Sequence, residues 1–132
     1  MQGISITVAI PVGPEKAHQQ WLKECIKSVT TQTFKPKEVL FIDDMANLPN
    51  TPAGSLILDN ENISFRVWRS PWHLGVAHAF NFGVALARND WVFMLGADDV
   101  LMPECLELCV EAVEKYKDPL GYYWVGIRYM NN

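Results

Sequence analysis

Short apolar runs alternate with helix-like patterns along this chain of 132 residues, and no other feature limits the fold as much. Strand-length runs rich in β-branched and aromatic side chains cover residues 4–12, 37–44, 62–69 and 90–95. Apolar side chains recur at helical spacing over residues 17–31, 75–88 and 103–117, and residues 121–129 predict one more strand. Strands that alternate with amphipathic helices predict an α/β three-layer sandwich around a mostly parallel sheet.

Size and charge narrow the class of protein. With 49% apolar residues, the chain can bury a core within a single domain, residues 1–132. The net charge of −4 gives no general attraction to nucleic acid or anionic lipid, so a phosphate-bearing ligand needs local help. Three cysteines are too few and odd in number for a disulfide framework. With no basic leader and no membrane-length apolar stretch, we expect a cytoplasmic protein without a transmembrane segment.

Polar residues follow three of the predicted strands at the point where each strand ends. The first strand closes with Pro11-Val12-Gly13, the second with Asp43-Asp44, and the fourth leads into Asp98-Asp99. Ligands of open parallel sheets bind beyond the carboxyl ends of the strands. If these strands are neighbours, the two pairs of carboxylates converge on one crevice.

Each acidic pair has a functional and a structural interpretation. Asp98 and Asp99 are oxygen ligands of the kind that Mg²⁺ or Mn²⁺ prefers, and such a cation holds diphosphate oxygens. The alternative is a turn followed by a helix, since Asp commonly begins both. Asp43 and Asp44 can accept hydrogen bonds from ribose hydroxyls or a base N–H. Their alternative is a solvated turn.

Basic, aromatic and thiol side chains complete the set of candidates. Arg69, near the end of the third strand, is the best placed phosphate cation, whereas Arg66 and Arg88 are predicted to be surface charges. Cys105 and Cys109, four positions apart, are interpreted as small buried residues rather than as a metal pair. Four side chains have two interpretations, as ligand contacts or as ordinary packing and surface residues: Trp68, Trp72, His73 and His78.

Three stretches in this order resemble the GT-A glycosyltransferases, in particular family 2. VAIPVG is similar to the opening strand and loop of that family, and EVLFIDD to its second strand. GVAHAFNFGVALARNDWVFMLGADDVLMP is similar to the segment in which a helix and a strand lead to the acidic signature. Together they cover most of residues 4–117, and their order is more specific than any one stretch.

The resemblance implies a nucleotide-diphosphate sugar as donor and transfer of its sugar to an acceptor. Asp43 matches the acid that binds the nucleoside, and Asn81 matches an asparagine of the third helix. Asp98 and Asp99 match the later acids of an Asp-x-Asp-Asp signature that contacts ribose, diphosphate and metal. The loop formed by Pro11, Val12 and Gly13 would lie against the base.

The sequence departs from the family pattern in several places. Gly96 stands where the first signature acid is usual, Phe80 where an arginine is usual, and residues 45–47 replace Asp-Gly-Ser. We expect a truncated GT-A-like domain, because the acceptor site and catalytic base of the family lie in a later half. No catalytic residue is assigned on this basis.

Alternative functions remain open at this level. A non-catalytic or degenerate nucleotide-sugar-binding module that lacks the acceptor half is the main one. A dinucleotide-binding domain is less consistent, because no G-x-G-x-x-G follows the first strand. A receiver-like domain is also less consistent, because the Ser or Thr and the Lys that it needs at later strand ends are not evident in this sequence. The apolar edge strand predicted at residues 122–129 suggests a homodimer.

Overall fold

A computed structural model describes residues 3–52, 54, 60, 62–117, 121 and 126 of the chain. The described residues contain four strands and four helices, in the order β1-α1-α2-β2-β3-α3-β4-α4. The strands are β1 (Ile6–Val12), β2 (Glu38–Asp43), β3 (Ser64–Arg69) and β4 (Trp91–Met94). The helices are α1 (Lys16–Gln20), α2 (Leu22–Thr30), α3 (Val76–Leu86) and α4 (Cys105–Tyr116).

The four strands form one sheet in the order β3-β2-β1-β4, and every pair is parallel. Ile10 pairs with Phe41 of β2, and Val8 pairs with Phe93 of β4. The predicted α/β class and parallel sheet are therefore confirmed. Because all strands point the same way, their carboxyl ends lie along one edge of the sheet. β1 lies between β2 and β4, the two strands that lead into the acidic pairs.

Alternate residues of the central strands face different layers of the sandwich. Val8, Ile10 and Phe41 are fully buried in the larger core, together with Ile26 of α2 and Val110 of α4. A smaller core on the opposite face joins the buried residues Leu40, Ile42 and Ala79, the last from α3. The period of two along each strand thus places one set of side chains against each helical layer.

Boundaries of several elements differ from the sequence prediction. The helix predicted over residues 17–31 is two helices, separated at Trp21, whose φ of −103° and ψ of 1° leave the helical region. Trp21 still accepts the first hydrogen bond of α2, from the N–H of Cys25 at 3.0 Å. The strand predicted at residues 121–129, and the dimer surface inferred from it, lie outside the described residues.

A buried polar network closes the amino-terminal edge of the sheet. Glu38, which is 2% exposed, accepts hydrogen bonds from Thr7 (2.9 Å), from Nε of Arg66 (2.7 Å) and from the backbone N–H of Arg88 (3.1 Å). Asn89 donates in turn to Oγ1 of Thr7 at 3.0 Å. The prediction that Arg66 is a surface charge is therefore wrong, because a half-buried ion pair with Glu38 holds it. The Arg88 side chain is exposed, as predicted.

Two other features concern helices. Cys105 and Cys109 of α4 are both half-buried, and the hydrogen bond between their thiols is the main cause that raises the pKa of Cys105. Within the described part of the chain, every helix is too short or too polar to serve as a membrane span.

Candidate functional site

The end of β1 forms the centre of the carboxyl edge. Pro11, Val12 and Gly13 are all buried, so the exposed surface here belongs to residues 14–17. The N–H of Gly13 donates to Nδ1 of His18 at 2.9 Å, which places the proton of the neutral imidazole on Nε2. A side chain at position 13 would collide with the carboxylate of Glu15. That carboxylate is the far end of an exposed, flexible side chain, so a larger residue at position 13 would mainly displace Glu15.

Asp43 at the end of β2 is buried and organises the loop that follows it. Its Oδ1 accepts hydrogen bonds from the N–H groups of Ala46 (2.8 Å) and Asn47 (3.1 Å). Its Oδ2 accepts from the N–H of Leu48 (2.8 Å) and from the guanidinium of Arg69 (2.6 Å). Four donors thus already surround this carboxylate within the protein.

Asp44 joins the same edge to the start of α3. Its two carboxylate oxygens accept from the N–H groups of Leu74 (2.6 Å) and Gly75 (2.9 Å), and its own N–H donates to the carbonyl of Val12 (2.9 Å). Nδ1 of His73 lies 3.4 Å from the Asp44 carboxylate. Asp44 is only 3% exposed, so its charge mainly serves the backbone of the loop before α3.

The turn after β4 presents Asp98 and Asp99 to solvent. Leu95 continues the ladder by donating to the carbonyl of Ala9 at 3.0 Å, and the carbonyl of Gly96 then accepts the N–H of Asp99 at 3.1 Å. Both aspartates are exposed. Partial burial and the adjacent charge of Asp98 raise the pKa of Asp99 above its ordinary value. Among the described residues, no ion pair neutralises either carboxylate.

Gly96 is closely packed by these two acids. A Cβ atom at position 96 would lie 2.6 Å from Oδ2 of Asp99 and 3.4 Å from Oδ1 of Asp98. The carboxylate of Asp99 therefore fills the space from which a side chain at position 96 would start. Both acids are exposed, so a larger residue at position 96 would displace the Asp99 carboxylate from this position.

The parallel sheet brings the candidate residues of three strands to one edge. Val12 pairs with Asp43 in the sheet, and the turn that carries Asp98 and Asp99 follows β4 on the other side of β1. Asn81 is not part of this group of contacts. It is exposed within α3, about 9 Å along the helix axis from Gly75.

The basic and aromatic candidates take different places. Arg69 bridges Asp43 and Oδ1 of Asn50 (2.9 Å), with 42% of its side chain exposed. Trp68 stacks on Phe82 of α3 with ring centroids 4.8 Å apart, which is ordinary packing between sheet and helix. Trp72 is 62% exposed in the loop after β3. His73 and His78 are also exposed.

Sequence reasoning did not identify two groups of residues at this edge. His18 was missed because α1 is short and the tie between its imidazole and Gly13 depends on the turn between them. The polar side chains of Ser28 and Gln32, which contact the backbone beyond Asp99, were assigned only to α2 and its end. Their spacing of four positions, on the same face as Cys25, was the available signal.

Comparison with known proteins was made on the sequence and on the fold. The family model described as Glycosyl transferase family 2 matches residues 7–130. An uncharacterized glycosyltransferase of Methanocaldococcus jannaschii is 30% identical over 125 residues, which cover 92% of this chain and 41% of that protein. The O-antigen biosynthesis protein RfbC of Myxococcus xanthus is 32% identical over 101 residues, 76% of this chain and 8% of that protein.

Solved structures give the same fold. S. aureus TarS in complex with UDP-GlcNAc superposes with a TM-score of 0.67 at 19% identity, over 86% of this chain and 32% of that one. Among the sequence relatives, an uncharacterized glycosyltransferase of Haemophilus influenzae is 25% identical over 80% of this chain. The match covers 39% of that protein, which is therefore also longer. This chain thus spans about two fifths or less of the length of these relatives. The family match covers nearly the whole chain, and the chain therefore belongs to glycosyl transferase family 2.

Proposed function

We propose that this chain binds the nucleotide-diphosphate part of a sugar donor for a glycosyltransferase that passes the sugar to an acceptor. The observation that carries the proposal is the exposed Asp98-Asp99 pair at the carboxyl edge of the sheet, where α/β folds bind ligands. Family membership supports it, because the resemblance of the sequence implies that the pair matches the later acids of the family's acidic signature. The identity of sugar, base and acceptor does not enter the proposal.

A divalent cation, Mn²⁺ or Mg²⁺, fits the chemistry of this pair. Two carboxylates crowd around Gly96, and the pKa of Asp99 is raised because burial and the Asp98 charge disfavour its ionised form. The described residues include no group of three or more His, Cys, Asp or Glu side chains that could hold a metal ion. Mg²⁺ sites commonly use one or two carboxylates and take their other ligands from substrate phosphates and water. The cation, when bound, would neutralise the leaving diphosphate.

The nucleoside side of the donor is assigned to the loops after β1 and β2. Asp43 already has four donors, so a ribose hydroxyl or base N–H reaches it by replacing one of them. Arg69 is the donor with an exposed side chain, 42% accessible, and it is therefore the partner that can leave. Once released from Asp43, its guanidinium is available to a phosphate, which suits the predicted role of Arg69.

The acceptor half of the reaction has no assigned residues in this chain. Transfer to a hydroxyl needs a base beside the acceptor as well as a stabilised leaving group. The described residues offer a candidate for the second need only, the Asp98-Asp99 pair. A non-catalytic donor-binding module is therefore the second candidate, favoured by Gly96 in place of the first acid.

Uridine diphosphate is the first ligand to test, because the TarS structures that this fold resembles contain UDP and UDP-GlcNAc. We expect UDP with Mn²⁺, at about 100 times its Kd, to stabilise the chain by about 2.7 kcal/mol. This corresponds to a rise in Tm of roughly 10 °C. Asp99→Asn should remove most of the Mn²⁺-dependent part of this shift, measured by thermal unfolding with and without EDTA.

Asp90→Asn is the matched control, since Asp90 is exposed immediately before β4, at the opposite edge of the sheet. It should leave the Mn²⁺-dependent shift unchanged. A response to neither UDP nor GDP, with Mn²⁺ or without it, would contradict the proposal. Release of labelled sugar from UDP-sugar above the rate in buffer then separates an enzyme from a binding module.

A further inference from the structure

Buried polar side chains run along one face of α2 and continue past its end. Cys25, Ser28 and Gln32 are separated by three and four positions, so they share a stripe of the helix surface. Their exposed fractions are 0%, 9% and 2%, as low as those of apolar core residues. A hydroxyl and an amide buried in this way lose free energy unless they are hydrogen-bonded. Their partners therefore indicate why polar residues are present.

All three side chains bond to the backbone of segment 96–106, which runs from the turn after β4 into the first turn of α4. The thiol of Cys25 donates to the carbonyl of Gly96 at 3.5 Å. Oγ of Ser28 accepts the N–H of Leu101 at 3.0 Å, while its own hydroxyl hydrogen goes to the carbonyl of Cys25 at 2.7 Å. These contacts hold the segment immediately before Asp98 and shortly after Asp99.

Gln32 makes the largest contribution to the same set of bonds. Its Nε2 donates to the carbonyl of Met102 at 2.7 Å and to the carbonyl of Ser28 at 3.0 Å. Its Oε1 accepts the N–H of Leu106, in the first turn of α4, at 2.9 Å. The backbone N–H of Thr33 adds a bond to the carbonyl of Pro103 at 2.9 Å. Five residues of the segment are thus tied to α2 and the residues just after it: Gly96, Leu101, Met102, Pro103 and Leu106.

We propose that Cys25 and Ser28 of α2, together with Gln32 just after it, form a clamp whose function is to position Asp98 and Asp99 for the cation and diphosphate. This inference rests on the proposed function of the acidic pair. Asp98 and Asp99 lie at the exposed apex between the contacts at Gly96 and Leu101, so the two contacts set where the apex stands. Ser28 and Gln32 are positioning residues, since they act through the backbone and not on the ligand.

Geometry explains why such a clamp is needed. The carboxylates of Asp98 and Asp99 both lie close to Gly96, so their like charges repel each other. A free loop would relieve that repulsion by moving the carboxylates apart. A loop fixed at both ends keeps them close enough to share one cation, in the arrangement that cation binding requires.

Gln32→Met tests the clamp, because methionine keeps the length and apolar volume but removes the donor and the acceptor. We expect the affinity of the UDP-loaded chain for Mn²⁺, measured by calorimetry well below Tm, to fall roughly 10-fold to 100-fold. Affinity for UDP in EDTA should stay within about twofold, since metal-free binding does not use the positioned acids. Thr7→Val is the matched control: it removes buried hydrogen bonds at the opposite edge of the sheet.

We expect Thr7→Val to lose stability but to keep its affinity for Mn²⁺. The same result in Gln32→Met would overturn the clamp. Should Gln32→Met fail to fold, Ser28→Ala removes the acceptor for Leu101 and must weaken Mn²⁺ binding in the same direction. Hydrogen exchange without ligand gives an independent measurement. Segment 96–106 should exchange faster in Gln32→Met than in Thr7→Val. Unchanged exchange refutes the clamp, whereas faster exchange in a chain that never binds UDP refutes the donor-binding proposal alone.

Discussion

Asp99 shows how a single side chain links stability to binding. Its pKa lies above the ordinary value of 3.8 because burial and then the charge of Asp98 disfavour the carboxylate. The folded protein therefore binds this proton more tightly than the unfolded chain does. It follows that ionisation of Asp99 costs stability as the pH rises from about 3.8 through its raised pKa. A bound cation would remove this cost, which ties the same carboxylate to the ligand.

Asp99→Asn should make the metal-free protein more stable than the wild type at pH 7. Asparagine keeps an oxygen for the N–H of Gly96 but carries no charge, so repulsion with Asp98 disappears. The difference in Tm should shrink as the pH falls through the raised pKa of Asp99, and it should vanish below about pH 3.8, where the wild-type carboxyl becomes protonated in both states. Thermal unfolding in EDTA across this range measures it. A variant less stable than the wild type at pH 7 would show that Asp99 contributes mainly through structure.

At the scale of the elements, α3 packs closely on the sheet at Gly83. A Cβ atom at this position would lie 2.9 Å from Cβ of Ala9 in β1 and 3.8 Å from the side chain of Ile42. Small residues on both sides allow the helix to pack directly on the central strand. The helix is therefore held at two places, by Asp44 before its first turn and by the packing at Gly83.

Gly83→Ala should destabilise the chain although alanine is the better helix former. Overpacking costs about 1–3 kcal/mol, and the gain in helix propensity returns about 1 kcal/mol. Adding Ala9→Gly should recover part of the loss, because it removes the carbon that the new methyl meets. Chemical denaturation of the single and double variants measures this coupling. Additive effects in the double variant would mean that the two positions do not contact each other.

At the scale of the molecule, one edge of the sheet is proposed to bind the ligand and the other stabilises the fold. The carboxyl edge holds the exposed acids, whereas the amino edge is closed by Glu38 and its partners. Burial alone would raise the pKa of Glu38, but hydrogen bonds from Arg66, Arg88 and Thr7 outweigh it and lower the pKa below 4.5. This group ties three strands and the chain after α3 together at a distance from the ligand.

Glu38→Gln should lower the free energy of unfolding by roughly 1–3 kcal/mol, since the ion pair with Arg66 is lost while some hydrogen bonds remain. The wild-type contribution is present above about pH 4.5 and lost as the pH falls through the lowered pKa. The difference between variant and wild type should therefore narrow in acid. Denaturation at pH 7 and pH 4 measures this difference in stability. The affinity of the folded variant for UDP should be unchanged. A marked change in UDP affinity would contradict the separation of the two edges.

Local periodicity was sufficient to predict the four strands, the α/β class and the acids at the strand ends, because burial against a neighbouring layer imposes a period of two or 3.6 on any chain. It was not sufficient for contacts between distant positions. Arg66 was predicted to be a surface charge, and the clamp of Cys25, Ser28 and Gln32 was not recognised. Both depend on partners that only the packed sheet supplies: Glu38 in the neighbouring strand and the backbone after β4. A buried polar group is identified by its partner, and that partner is fixed in space by the fold rather than by nearby residues.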